Sequence, residues 1–318
     1  MSEVPLRLGT RKSPMALAQS LQVAKLITEL TGRQAELRGI AAPGDASQAQ
    51  LTQIGGTGVF VSGLRQSLLA DEVDIAVHSL KDLPTGQPDG IVLAAVPPRE
   101  DPRDALAAAG GMKLADLAPG ARIGTGSPRR AAQLLMLRPD LRPVPIRGNA
   151  GTRLAKVGSG EVDAVVLAYS GLARIARLDA VTEIFEPDEM LPAPGQGALA
   201  VECLADRPDL AQLLARIDDG QSRAAITAER ALLAALQAGC TAPVGAYAAG
   251  TPELRLHAIV AAADGRSALR ASAGGPASAA ARLGRAVAAD LLARGAGMLT
   301  AVSGGHTGRT HQRGGDDQ

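Results

Sequence analysis

Apolar residues run through the first third of the chain in alternating short and long blocks, and their spacing predicts strands alternating with helices. Residues 6–9 read as a short strand and 14–30 as a helix. Ser13 is its expected N-cap and Pro14 its first helical residue, where a missing N–H costs nothing. Residues 35–40 read as the next strand, and 60–70 as a helix entered from Ile54-Gly55-Gly56-Thr57-Gly58. Residues 73–78 and 91–96 are apolar without alternation, the pattern of strands covered on both faces. The same style continues from Asp104 to Phe185, with strands expected at 122–125, 143–147 and 164–168. Helices are expected to open at Ser127-Pro128 and to cover 152–157 and 171–176. After a helix over 222–237 the pattern changes to three antiparallel strands, 244–249, 254–263 and 268–272, followed by an Ala-rich helix over 277–294.

Pro- and Gly-rich stretches at Pro97–Pro102 and Pro187–Gly197 bracket the middle segment as crossings between lobes, and a strand at 197–202 is expected to return to the first lobe. The predicted organisation is one α/β lobe from 1–98 and 197–218, a second from 103–190, and a small α+β domain over 220–302. The tail, 303–318, has no apolar pattern and is expected to be disordered. A weak internal echo, Gly9-Thr10 then Ser13-Pro14 against Gly124-Thr125 then Ser127-Pro128, puts hydroxyl and guanidinium groups at a helix N-terminus in each lobe.

Composition narrows the function classes. Net charge is +1, so no whole-molecule field attracts nucleic acid or membrane, and only Phe60, Tyr169, Phe185 and Tyr247 are aromatic, too few for a base-stacking platform. Between Ala121 and Ala180, however, ten Lys or Arg face four Asp or Glu, which points to an anionic small molecule. Residues 1–9 carry no apolar signal core and no run approaches the roughly eighteen apolar residues of a membrane span, so a cytoplasmic compartment is expected, with Cys203 and Cys240 reduced thiols.

Candidate chemistry gathers at a few places. An apolar strand ends at His78-Ser79-Leu80-Lys81-Asp82, and ligand groups collect at strand ends in α/β sheets, although a solvated Lys-Asp turn is the competing reading. Arg129 and Arg130 sit in the first turn of a helix, where the dipole disfavours cations, a conflict that an anionic ligand would resolve. Arg147 and Arg153 flank Gly148-Asn149-Ala150-Gly151-Thr152, and clustered guanidiniums suit a ligand with several carboxylates or phosphates. Cys240 lies in a Gly-Cys loop between helix and strand; Cys203 reads as buried filler. Two distant cysteines and four scattered histidines have no metal-ligand spacing. The Gly55–Gly58 stretch lacks a Walker ending and a dinucleotide fingerprint, so it reads as a flap.

Taken in order, GTRKSP, GGTGVF, DIAVHSLKDLP, REDPRDA, GTGSPRRAAQL, IRGNAGTRLAK, LPAPGQGALAVEC, TAERALLAAL and GCTAPVG resemble the porphobilinogen deaminases, from Arg7 to about Gly245. The resemblance implies two α/β lobes like type II periplasmic binding proteins around a cleft, plus a small α+β C-terminal domain. It implies a cytoplasmic, monomeric transferase that condenses four porphobilinogens head to tail, with loss of ammonia, to hydroxymethylbilane. A dipyrromethane cofactor is held by a thioether on Cys240, since a thiolate attacks the electrophilic methylene left when ammonia departs. Asp82 matches the catalytic carboxylate. Ser79, Lys81, Thr125, Ser127, Arg129, Arg130, Arg147 and Gly148 match cofactor contacts. Arg11, Ser13, Phe60, Arg147, Arg153, Arg174 and Gln196 match substrate contacts. Some members have lysines in the flap where this chain has Gln53 and Thr57, so those two positions are not expected to pair with ligand carboxylates. No metal, nucleic-acid or membrane partner is implied. The competing class is a non-catalytic two-lobed binding protein for a polycarboxylate, which would have no use for the cysteine loop or the HSLKD turn.

Overall fold

A computed structural model describes residues 4–40, 59–239 and 242–301. The Gly55–Gly58 stretch with Gln53 and Thr57, the Phe60 side chain, Cys240 and the tail 303–318 lie outside the described residues. In chain order the elements are β1 (Leu6–Arg11), α1 (Pro14–Thr31), β2 (Ala35–Ile40), α2 (Val59–Leu69), β3 (Ile75–Ser79) and β4 (Ile91–Ala95). There follow β5 (Asp104–Ala108), β6 (Arg122–Gly124), α3 (Pro128–Leu137), β7 (Arg142–Val144), α4 (Ala150–Gly158), β8 (Ala164–Ala168), α5 (Tyr169–Arg174) and β9 (Glu183–Ile184). The remainder is β10 (Leu199–Leu204), α6 (Pro208–Leu214), α7 (Gly220–Ala235), β11 (Val244–Ala249), β12 (Glu253–Ala261), β13 (Ala268–Pro276), α8 (Ala280–Ala293) and α9 (Ala296–Ala301).

Two five-stranded sheets share one plan. Their orders are β2-β1-β3-β10-β4 and β7-β6-β8-β5-β9. In each, three strands are parallel, and the fourth position is taken by the strand that arrives from a crossing and runs antiparallel to both neighbours. β1 leading into α1 therefore corresponds to β6 leading into α3, and the sequence echo at Gly9-Thr10 and Gly124-Thr125 marks equivalent places. Apolar side chains fill both faces of each sheet: Leu8, Ile27 and Val201 on one face of the first, Leu64, Leu68 and Ile91 on the other. In the second sheet Leu106, Ile123 and Phe185 lie opposite Val165, Ile146 and Leu172. A third sheet, β11-β12-β13, packs one face on α7 and α8 through Leu232, Leu256 and Leu291.

The expected strand over 143–147 stops at Val144. Pro145, next after β7, cannot donate to a ladder, and Arg147 belongs to a loop rather than a strand end. β5, β9 and α6 have no counterpart in the sequence-based expectation.

The crossings run side by side, with the Glu100 N–H donating to the Gly197 carbonyl at 3.3 Å. Gly197 has φ +87°, and a Cβ there would sit 2.5 Å from the Glu100 carbonyl oxygen. The third sheet is seated on the second crossing: the Ala246 N–H donates to Pro192 O at 2.9 Å, and a Cβ on Gly245 would meet Leu191 O at 2.8 Å.

Candidate active site

β3 ends at Ser79, and Leu80–Asp82 forms one 3₁₀ turn closed by the Leu83 N–H donating to Leu80 O at 3.1 Å. Leu80 is fully buried, and its N–H donates to Ala198 O at 3.0 Å, so the turn is anchored by its apolar member while Asp82 stays exposed. Gln19 of α1 donates through Nε2 to Ser79 Oγ at 2.7 Å. From α7, Arg230 donates to the carbonyls of Leu83 and Pro84 at 3.2 and 2.6 Å and so grips the turn's exit.

Across the crossing lies a buried charge cluster. Asp104, fully buried at the start of β5, accepts from Arg129 Nη1 at 2.7 Å and from Arg130 Nε and Nη2 at 3.0 and 2.7 Å. Two arginines at a helix N-terminus are expected to find their counter-charge in an anionic ligand; the structure adds an internal anion to that account. Asp104 supplies that anion from within the chain. Burial pushes the Asp104 carboxyl up, but Arg129 and Arg130 outweigh it and hold it far below the usual carboxylate range. Arg129 also donates to Leu191 O at 2.7 Å, and its Nε is buried without a partner.

Gln196 joins the two halves. Its Nε2 donates to Asp104 Oδ1 at 2.9 Å and to Pro102 O at 2.6 Å, and its Oε1 accepts from Arg130 Nη2 at 3.4 Å and from Lys81 Nζ at 3.3 Å. Burial, and then the charge of Arg130, push the Lys81 ammonium down to about 8, against the opposing pull of Asp82 and Asp104. Asp82, Lys81, Gln196, Arg129 and Arg130 thus share one electrostatic neighbourhood.

The outer part of the second lobe extends it. Thr125 is buried and accepts from the Ser127 N–H at 3.2 Å, while Ser127 caps α3 by accepting from the Arg130 N–H at 3.4 Å. Gly148, with φ +101°, offers its carbonyl to Arg153 Nε at 2.9 Å, and Arg147 beside it is exposed. Burial, then Arg130 and Arg147, push the Arg153 guanidinium down, so these three cations are within Coulombic reach of one another.

Two expected substrate contacts lie on the first lobe: Arg11 ends β1 and is half-buried, and Ser13 caps α1 by accepting from the Ala16 N–H at 3.2 Å. Arg174 stands apart from the arginine cluster. It forms a 2.9 Å ion pair with Glu100, off the line of a directed hydrogen bond, and donates to Gly197 O at 2.9 Å. With Ala18, Gln22, Glu100 and Ala173 it lines a cavity of about 270 Å³ between α1 and α5.

The loop holding Cys240 is bracketed by described residues. The Ala242 N–H donates to Gly239 O at 3.0 Å, and Gly245 just beyond rests on Leu191, the residue whose carbonyl Arg129 holds. Cys203 is buried in β10, and burial pushes its thiol up to about 11, which leaves it inert as a nucleophile at neutral pH. Among the described residues no group of three or more His, Cys, Asp or Glu could hold a metal ion, and no helix is long and apolar enough to cross a membrane.

Sequence reasoning missed Asp104 and Glu229. Glu229, fully buried on α7, accepts from Arg99 at 2.6 and 3.2 Å, from the Gly195 N–H at 2.7 Å and from the Ala248 N–H at 2.8 Å. Asp104 and Glu229 both lie in segments that carry the family resemblance, REDPRDA and TAERALLAAL, but their charges read as solvated surface until the partners are known.

A family profile described as porphobilinogen deaminase, dipyromethane cofactor binding domain, matches residues 6–212, and one described as porphobilinogen deaminase, C-terminal domain, matches 224–293. The chain is 58% identical over 311 residues to a porphobilinogen deaminase of Thermobifida fusca, covering 95% of this chain and 97% of the relative. It is 54% identical to porphobilinogen deaminase 1 of Streptomyces coelicolor, covering 94% and 98%. Among solved structures, the methionine-binding protein MetQ aligns with TM-score 0.44 at 10% identity, covering 67% of this chain and 89% of that one. A periplasmic substrate-binding protein from Coxiella burnetii aligns at 0.43 and 16%, covering 67% and 91%.

Proposed function

The chain belongs to the porphobilinogen deaminase family, and on that premise we propose that Asp82 is its catalytic carboxylate and Cys240 the attachment point of its dipyrromethane. The enzyme is a transferase that condenses four porphobilinogens head to tail, with loss of ammonia, to give hydroxymethylbilane for tetrapyrrole synthesis. In this reading it works as a cytoplasmic monomer.

The residues present fit a polycarboxylate cofactor. Arg129 Nε is buried and unpartnered, and the mutual repulsion of Arg130, Arg147 and Arg153 is the kind that carboxylates relieve. Thr125, Ser127, Arg129, Arg130, Arg147 and Gly148 would hold the cofactor on the second lobe, with Ser79 and Lys81 closing from the first. When bound, it supplies the pyrrole position from which the chain grows. Arg11, Ser13, Arg147 and Arg153 would take the acetate and propionate of incoming substrate, with Phe60 as an aromatic neighbour of the ligand and Gln196 at the crossing between the lobes. Arg174 would act on substrate only if it left Glu100.

Asp82 performs the charge work. An exposed carboxylate at this turn can accept the pyrrole N–H of substrate and stabilise the positive charge that develops as ammonia leaves. Lys81 beside it keeps a neighbouring cation for the cofactor's carboxylates. The observation that carries this reading is the bridge Lys81–Gln196–Arg130–Asp104, which ties the turn bearing Asp82 to the arginine cluster.

Intact-protein mass should exceed the sequence mass by two pyrrole units, and Cys240→Ser should remove the excess. An active enzyme of unmodified mass would defeat the assignment of Cys240. Asp82→Asn should keep the added mass and lose about a hundredfold or more in kcat; wild-type turnover would move the catalytic role elsewhere. A non-catalytic binding protein, by contrast, would carry no added mass and release no ammonia from porphobilinogen.

A further inference from the structure

Behind the catalytic turn, on the sheet face covered by α2, lies a second buried charge group that the reaction as described does not use. Glu202 of β10 is 2% exposed and accepts from Arg65 of α2 in a forked pair, Nε to Oε2 at 3.0 Å and Nη2 to Oε1 at 2.7 Å. His78 of β3, also buried, brings Nε2 to 3.1 Å from the same Oε2, off the line of a directed hydrogen bond. Register explains the meeting. Glu202 pairs with Ala76 across the antiparallel β3/β10 ladder, and His78 is two residues along on the same face.

Burial pushes the Glu202 carboxyl up, but His78 and Arg65 outweigh it and bring it down to about 2. The carboxylate is therefore a fixed anion, and it grips three elements at once. His78 immediately precedes Ser79, whose strand end carries Lys81 and Asp82. β10 carries Ala198–Leu199 against that same turn, through the Leu80 N–H to Ala198 O bond. Arg65 lies in the second turn of α2, whose first residues are Val59 and Phe60.

We propose that Arg65, Glu202 and His78 form a positioning cluster that locks α2 against the strand carrying the catalytic turn, so that the start of α2 and Asp82 keep a fixed relation during each condensation. The cluster touches no reacting atom. Its apolar surroundings, Leu64, Leu68, Val73 and Ala76, would hold α2 on the sheet without it, but apolar packing is non-directional and leaves the helix free to slide. A forked guanidinium–carboxylate pair has one geometry and fixes the register.

The inference rests on Asp82 being the catalytic carboxylate, so the test separates the two. Arg65→Met should keep the cofactor's added mass and a cooperative unfolding transition while kcat falls about tenfold, because small misplacements at a reacting centre are costly. KM for porphobilinogen should stay within about twofold, because the substrate-binding arginines are untouched. Arg65→Lys, with its charge but not its fork, should recover only part of the loss. Should Arg65→Met fold poorly because Glu202 is left as a lone buried anion, the double variant Arg65→Met/Glu202→Gln removes that charge and should show the same kcat loss in a folded protein. Wild-type kcat in either folded variant would overturn the proposal, as would a loss that only follows the folded fraction. Asp82→Asn with wild-type turnover would instead defeat the reading of the site, whatever Arg65 does.

Discussion

Lys81 shows how a single residue reports on the whole site. Its ammonium is pushed down to about 8, first by burial and then by Arg130. Because the folded value lies below the ordinary 10.5, the charged form costs stability below pH 8, and that cost disappears as pH rises from about 8 to 10.5. A carboxylate ligand reverses the balance by favouring the ammonium, so binding takes up a proton in this window. Loading of the dipyrromethane onto the apoenzyme should therefore weaken as pH goes from 7 to 9, by up to roughly tenfold per unit once Lys81 deprotonates in the unloaded protein. Lys81→Met should bind more weakly at pH 7 and lose this part of the pH dependence. A pH profile of cofactor loading identical in wild type and Lys81→Met would mean that Lys81 does not meet the cofactor's carboxylates.

At the scale of elements, the two crossings decide whether the lobes meet correctly. Gly197 combines φ +87° with a carbonyl only 2.5 Å from where a Cβ would stand, so Gly197→Ala carries both backbone strain and a clash with a neighbouring main chain. It also disturbs the Gly197 carbonyl, which accepts from both Glu100 and Arg174. A loss of about 2–4 kcal/mol in chemical denaturation is expected, and a Gly197→Ala protein as stable as wild type would show that the crossing can yield. The same region marks where sequence reading stopped. Strands such as Ala35–Ile40, Ala164–Ala168 and Val244–Ala249 were legible because short, bounded runs left no other period. β5 was missed because it opens on Asp104 at the end of a charged, Pro-rich stretch, and nothing local says that this aspartate is buried. Its burial depends on Arg129 and Arg130, about 25 residues further along the chain. The arginines themselves were legible as a conflict with the helix dipole; their internal partner was not, because that pairing is a tertiary fact.

At the scale of the whole molecule, the C-terminal domain is attached through Glu229. One buried carboxylate accepts a forked pair from Arg99 on the first crossing, the N–H of Gly195 on the second, and the N–H of Ala248 in its own sheet. Arg99 in turn donates through Nε to Gln196 O at 2.8 Å and lies 5.5 Å over the Tyr247 ring. The neighbouring Arg230 holds the carbonyls of Leu83 and Pro84, so the same helix secures the exit of the turn bearing Asp82. Glu229→Ala would leave a guanidinium and two amides buried without their acceptor, at a cost of about 3–5 kcal/mol. If the domain were joined to the lobes only by apolar contact, the damage would stay within α7 and the turn would keep its place. If Glu229 is the joint, the domain should loosen as a body: unfolding should separate into two transitions, and kcat should fall below the first of them. Full activity up to a single wild-type transition would show that the sheet's seat on Leu191 and Pro192 is enough to join the domain to the lobes.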